Sequence, residues 1–212
     1  MAFDPGRLDM PIGEAMFSQR SIRRFRPDPI PTADIELILE AAGKAPSGGN
    51  RQPGRFLVLN DPALITEFGA LYHEAWWAKR RDERQPWTSR EQIPAEERGH
   101  VAAARLADEI KDAPLIILAL TATRGGASSI IPSVQNLMLA ARALGIGSVP
   151  TTLHAQVMDR VTALLGIPAE AEVHLCIPMG YPRGRFGSTQ RLSSAETSYL
   201  NHWGTPVPWA QD

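Results

Sequence analysis

Ala45-Pro46-Ser47-Gly48-Gly49-Asn50-Arg51-Gln52-Pro53 divides a helical pattern from a strand pattern and carries more side-chain hydrogen-bonding groups than either neighbour. Pro46 stops the preceding helix, and Gly48-Gly49 lets the backbone take positive φ or accept close approach by another group. Ser47, Asn50 and Gln52 bring hydroxyl and carboxamide groups that donate and accept, a set suited to a neutral heterocycle with alternating N–H and C=O edges. An ordinary helix-to-strand turn has the same composition, so the stretch alone leaves ligand loop and turn both open.

Upstream, Thr32 is placed to cap a helix whose Ile35, Ile38, Leu39 and Ala42 recur at helical spacing, with Asp34 in its first turn. Before it, Arg20-Ser21-Ile22-Arg23-Arg24-Phe25-Arg26 sets four arginines in seven residues ahead of Pro27 and Pro29. Arginine forks match phosphate oxygens bidentately, and each charged hydrogen bond contributes about 1.5–3 kcal/mol, so two or three suffice to anchor a phosphorylated cofactor. A solvated basic face is the alternative.

Downstream, residues 55–59 read as a strand and residues 62–112 as helical and charged, with eleven charged residues between Lys79 and Arg98. Tyr72, Trp76, Trp77 and Trp87 there either stack on an aromatic ligand or pin a peripheral helix pair to the body. Residues 114–121 are apolar on both faces, as a central strand requires. A helix is predicted over 131–145, proline at its start and glycine past its end, apolar nearly all round except for Gln135 and Asn136. Residues 147–154 form a short strand running into a helix start. His154 reads as a cap or satisfied polar residue, because no carboxylate is near it to orient the ring. Cys176, on a strand over 172–179, reads as buried core. The C-terminal stretch carries Arg183, Arg185 and Arg191, then an arm with Trp203 and Trp209 that needs another surface, such as a second subunit.

Composition narrows the function. At 212 residues the chain is expected to form one domain. Its 22 basic and 23 acidic residues create no global field for nucleic acid or an anionic membrane. The five histidines and one cysteine show no metal-ligand spacing. No apolar run approaches the ~20 residues of a membrane helix, and the start Met-Ala-Phe-Asp-Pro-Gly has no apolar signal segment, so a cytoplasmic location is expected. Nucleophile-elbow, P-loop and complete dinucleotide-binding glycine motifs are missing.

Four segments together carry a resemblance: residues 20–25, residues 45–53, Ser129-Ile130-Ile131-Pro132-Ser133-Val134-Gln135-Asn136 through Gly145, and Gly180-Tyr181-Pro182 with Arg191. In order and spacing the chain resembles the nitroreductase family of FMN-dependent flavoproteins. The resemblance implies an α+β fold, a central mixed, mostly antiparallel sheet wrapped by helices, in an intertwined homodimer with FMN at the subunit interface. It implies a single domain over 1–212, a helical lid-like excursion at about 70–112 and a dimer arm at about 183–212.

By the family's pattern Arg20, Ser21, Arg23 and Arg191 hold the FMN phosphate and ribityl chain. Ser47, Gly48, Asn50 and Gln52 meet the ring or ribityl hydroxyls, and Pro150, Thr151, Thr152 and Leu153 lie beside the ring, with position 152 offering a donor to flavin N5. The chain departs from the family's usual residues at Gln19, Gly54 and Thr151-Thr152, and the threonines are similar to those of the flavin dehalogenase branch. The implied activity is ping-pong transfer of reducing equivalents from NADH or NADPH to a small electron-poor acceptor, nitroaromatic or quinone. The flavin carries the chemistry, without a catalytic side chain or a metal. A dedicated flavin reaction on one metabolite (reductive dehalogenation or ring oxidation) and a non-catalytic flavin-binding protein are the alternatives.

Overall fold

Four strands, β1 (Gly54–Leu59), β2 (Leu115–Thr121), β3 (Gly147–Ser148) and β4 (Glu172–Gly180), pair in the order β1-β2-β4-β3 in a computed structural model that describes residues 3–211. Met1, Ala2 and Asp212, the ends of the expected single domain, lie outside the described residues. All three strand pairings are antiparallel, and a parallel contact enters only as the isolated bridge between Ser21 and Ser148.

Every residue of β2 is buried. Alternate residues of a strand face opposite sides, and β2 uses both. Leu115, Ile117 and Ala119 join one apolar cluster, while Ile116, Leu118 and Leu120 join the other. The first cluster is closed by α2 (Thr32–Gly43) and α5 (Ala127–Ala143). The second is closed by α3 (Pro62–Asp82), α4 (Arg98–Glu109) and α6 (Ala155–Leu165). The result is the expected α+β arrangement of a sheet wrapped by helices. A short helix near the start, α1 (Ile12–Ser18), lies against α5.

Two helix starts differ from expectation. Pro31, not Thr32, occupies the N-cap of α2, and no side chain caps it. Helix α5 begins at Ala127, so Pro132 sits inside it. The Gly125-Gly126 turn brings the chain tightly off β2, since a Cβ on Gly126 would lie 2.4 Å from Thr121 Cγ2, and the helix therefore begins before the proline. Asn136 finds its partner in the Ala41 carbonyl, 3.2 Å away, while Gln135 is exposed.

Trp76 and Trp77 are both buried, edge to face with centroids 4.6 Å apart, within the cluster under α3 and α4. Within the chain they pin helices to the sheet.

Gly147 and Gly180 allow the segment 20–26 to lie directly on the sheet edge. A Cβ on Gly147 would sit 2.7 Å from Ile22 Cγ2, and one on Gly180 would sit 2.8 Å from Phe25 Cβ. Gly147→Ala is therefore expected to cost about 1–3 kcal/mol through overpacking, read as a thermal midpoint lower by roughly 2–4 °C per kcal/mol.

Candidate functional site

The arginine segment is fastened along its length. Ile22 is buried, and its N–H donates to Ser148 O at 3.0 Å. Arg26 N–H donates to Tyr181 O at 2.8 Å, and Arg183 N–H donates to Arg24 O at 3.0 Å. These bonds bring Arg20, Ser21, Arg23, Arg24, Arg183 and Arg185 around one open pocket of about 380 Å³.

Arg24 pairs with Glu109 at 3.4 Å, and Arg183 Nε donates to Phe25 O at 2.7 Å. Arg20, Arg23 and Arg185 make no ion pair among the described residues. Burial, with a smaller effect of neighbouring Arg20, pushes the Arg23 guanidinium down from its usual range against an opposing contribution from Tyr72. A half-buried cation without an acid is costly, and an anion in the pocket offsets that cost. Arg191 stands apart from this group, exposed, with its guanidinium on the neighbouring Gln190 carbonyl. Arg183 and Arg185 occupy the pocket instead; sequence reading recorded them as basic without placing them.

Residues 150–153 follow β3, whose Ser148 is bridged by Ser21 of the arginine segment. Thr151 exchanges both backbone hydrogen bonds with Cys176, at 2.9 and 2.7 Å. Its hydroxyl is 2.9 Å from the hydroxyl of Tyr72, a residue of α3 that is only 2% exposed. Pro150 and Leu153 are half-buried, whereas Thr152 is exposed and its hydroxyl has no partner among the described residues.

The stretch 45–53 folds as a strained turn. Gly49, Asn50 and Gln52 all adopt positive φ, at 57°, 53° and 50°. Left-handed backbone costs a non-glycine residue roughly 1–2 kcal/mol, and such outliers concentrate at ligand sites. Gly48 N–H donates to Ser129 Oγ at 3.2 Å, and Gln52 N–H donates to Ser47 Oγ at 2.9 Å. Asn50 and Gln52 side chains touch only each other and the turn, and both are exposed. Ser47, Asn50, Gln52, Ser129 and Ser133 line a polar pocket of about 230 Å³. Ser129 was not foreseen, although its place in the quoted 129–136 segment marked the region.

Within one chain these two groups do not meet. The turn precedes Gly54, whose partner is Thr121 at one end of β2. The arginine segment bridges Ser148, whose partner Met179 pairs with Leu115 at the other end. With strands ~4.8 Å apart and residues ~3.3 Å apart along them, the two groups occupy opposite corners of the sheet, roughly 25–30 Å from each other.

His154 caps α6, accepting the Gln156 N–H at 3.2 Å. The expectation that no carboxylate is near it is corrected, because Asp82, at the end of α3, lies 2.9 Å from its Nε2. The two are 72 positions apart and meet only through the packing of α3 on α6. Cys176 is fully buried, and burial pushes its thiol pKa up. No cluster of metal-ligating side chains occurs among the described residues, and no helix is long and apolar enough to cross a membrane.

Comparison with known proteins gives a match to the nitroreductase family model over residues 17–181. A Thermus thermophilus NADH dehydrogenase is 32% identical over 192 residues, covering 84% of this chain and 90% of the relative. A Rhodospirillum rubrum 5,6-dimethylbenzimidazole synthase is 34% identical over 190 residues, covering 85% and 86%. The crystal structure of an iodotyrosine deiodinase bound to FMN and 3-iodo-L-tyrosine shares the fold, with a TM-score of 0.71 at 23% identity over 92% of this chain and all of that one.

Burial raises the pKa of Tyr72 as well as that of Cys176, outweighing the Thr151 hydrogen bond. Each group holds its proton more tightly folded than unfolded, so its contribution is complete below the unfolded pKa and is lost as pH rises past it. Unfolded values are about 8.5 for a thiol and about 10 for a phenol. Stability is expected to decline above about pH 8.5, by up to about 1.4 kcal/mol per pH unit for each group. Cys176→Ala should remove the thiol's share, measured as urea midpoints between about pH 7 and pH 10.5.

Proposed function

This chain belongs to the nitroreductase family, and on that premise we propose that it is an FMN-dependent oxidoreductase passing reducing equivalents from NADH or NADPH to an electron-poor acceptor. Nitroaromatics and quinones are the acceptor class, and donor and acceptor take turns at one site. The observation that carries the reading is the half-buried, acid-free Arg23 converging with Arg20 and Arg185 on one pocket, on a segment whose Ser21 bridges Ser148, four residues before the exposed Thr152.

FMN fits these residues. Its phosphate is an anion for the Arg20, Ser21 and Arg23 group, and its ring offers N–H and C=O edges to hydroxyls and amides such as those of Thr152, Ser47, Asn50 and Gln52. When bound, FMN supplies reversible hydride acceptance at N5. The chain's own residues bind and orient. The arginines hold the phosphate end, Pro150 and Leu153 provide the apolar wall, and Thr152 presents a hydroxyl able to donate to N5 or accept from N5–H. Gly48 ties the turn to Ser129 through its N–H. Arg191, exposed and outside the arginine pocket, reaches the phosphate only if the tail repositions on assembly.

The opposite-corner arrangement supports a homodimer in which the 47–52 turn of one copy completes the arginine site of the other. Two surface features support it as well. A groove of about 340 Å³ lined by Phe3, Leu8, Ile12, Leu37, Leu139 and Ala143 lies open, and Trp203 is 90% exposed in the C-terminal arm. The dimer arm at about 183–212 and the lid at about 70–112 belong to this proposal, as does a cytoplasmic location.

A second reading is a dedicated flavin reaction on one metabolite. It is favoured by the 34% identity to a dimethylbenzimidazole synthase, as high as that to the NADH dehydrogenase. Anaerobic addition of NADH, then NADPH, to the FMN-loaded protein separates the two. Bleaching of the flavin band followed by reoxidation with several nitroaromatics or quinones is expected. A band that neither nucleotide bleaches would favour the dedicated reaction.

Arg23→Ala is expected to weaken FMN binding by about 1.5–3 kcal/mol, roughly 10- to 150-fold in Kd, by fluorescence titration. Mixing unfolded Arg23→Ala and Gln52→Ala chains and refolding them together should restore tight FMN binding, since each mixed dimer holds one intact site. Failure of the mixture to exceed either variant alone would show that both groups serve the same chain's site.

A further inference from the structure

Tyr72 is the one phenol in the core, and its hydroxyl is spent on a single residue. It sits in the third turn of α3, on the face shared with Trp76, and touches Thr151 Oγ1 at 2.9 Å. Thr151 is thereby held at three points: its N–H and C=O by Cys176, and its hydroxyl by Tyr72. Thr152, the next residue, is exposed with a free hydroxyl. With the Thr151 carbonyl held by Cys176, the Thr152 N–H points the opposite way across the same planar peptide, and holding the Thr151 side chain restricts the rotation by which that peptide could turn.

Resting on the reading of this site as an FMN site, we infer that Tyr72 is a positioning residue, which holds Thr151 so that Thr152 keeps its hydroxyl and N–H directed at the bound ring. A hydroxyl can donate to unprotonated N5 and accept from N5–H, whereas a backbone N–H can only donate. Which of the two faces N5 therefore changes the relative ease of the first and second electron. Tyr72 acts on that balance through Thr151 without touching the ring. Its burial keeps the phenol protonated, so the neutral hydroxyl–hydroxyl bond to Thr151, in which either oxygen can be the donor, persists across the working range of pH.

The test uses FMN-loaded protein and four variants: Tyr72→Phe, Thr151→Val, their double variant, and Thr152→Val. The readouts are the gap between the two one-electron midpoint potentials of the bound flavin and the thermal midpoint of the FMN-free protein. Tyr72→Phe and Thr151→Val are expected to shift the potential gap with the same sign as Thr152→Val. The double variant should shift it no further than either single one. Should Tyr72→Phe fail to fold, Thr151→Val removes the other half of the same bond from a half-exposed residue and gives the same answer. A lowered thermal midpoint with an unchanged potential gap would overturn the inference and leave Tyr72 a structural core residue. A wild-type chain that takes up no FMN would overturn both this inference and the proposed function, so the two failures are distinguishable.

Discussion

The structure depends on the complete burial of β2. Seven consecutive residues are buried, so their backbone N–H and C=O groups need partners inside the fold. β1 and β4 meet that requirement from the two sides, and helices must then cover both faces. α2 and α5 cover the odd-numbered side chains of β2, and α3, α4 and α6 cover the even-numbered ones.

The same strand sets the distance between the polar groups. The turn before β1 ends up level with Thr121, and the arginine segment next to β3 ends up level with Leu115. Two polar groups that suit one ligand are thus held apart by the width and height of the sheet. The chain retains strain in the first, with Asn50 and Gln52 both left-handed, and uncompensated positive charge in the second. Both are costs that a ligand shared between copies would offset, which ties the proposed cofactor and the proposed dimer to the same geometry.

Helix α3 links these regions. Its buried face supplies Phe68 and Trp76 to the core, Tyr72 to Thr151, and, at its end, Asp82 to the cap of α6. Arg80, stacked over Trp76 with its carbon 4.9 Å from the ring centre, carries charge into the same face and is paired with Glu83. Trp76 and Trp77 are buried and within the chain pack helices against the sheet.

Much was legible in the residues themselves. The run of 114–121, apolar on both faces, foretold a central strand, and the glycine and proline punctuation marked the 45–53 turn, whereas the arginine density left phosphate site and solvated basic face both open. Helix starts were less legible, because Pro132 resembles a first-turn proline until the tight approach of Gly126 to Thr121 is known. The sequence by itself determined which segments are buried and which carry polar chemistry, since burial follows side-chain type and spacing. Only the tertiary structure decided that Arg183 and Arg185 join Arg20 and Arg23 in place of Arg191, that Tyr72 meets Thr151, and that Asp82 meets His154. These pairs are 72 or more positions apart or lie on separate elements, and their meeting depends on strand order and helix packing, which local pattern does not encode.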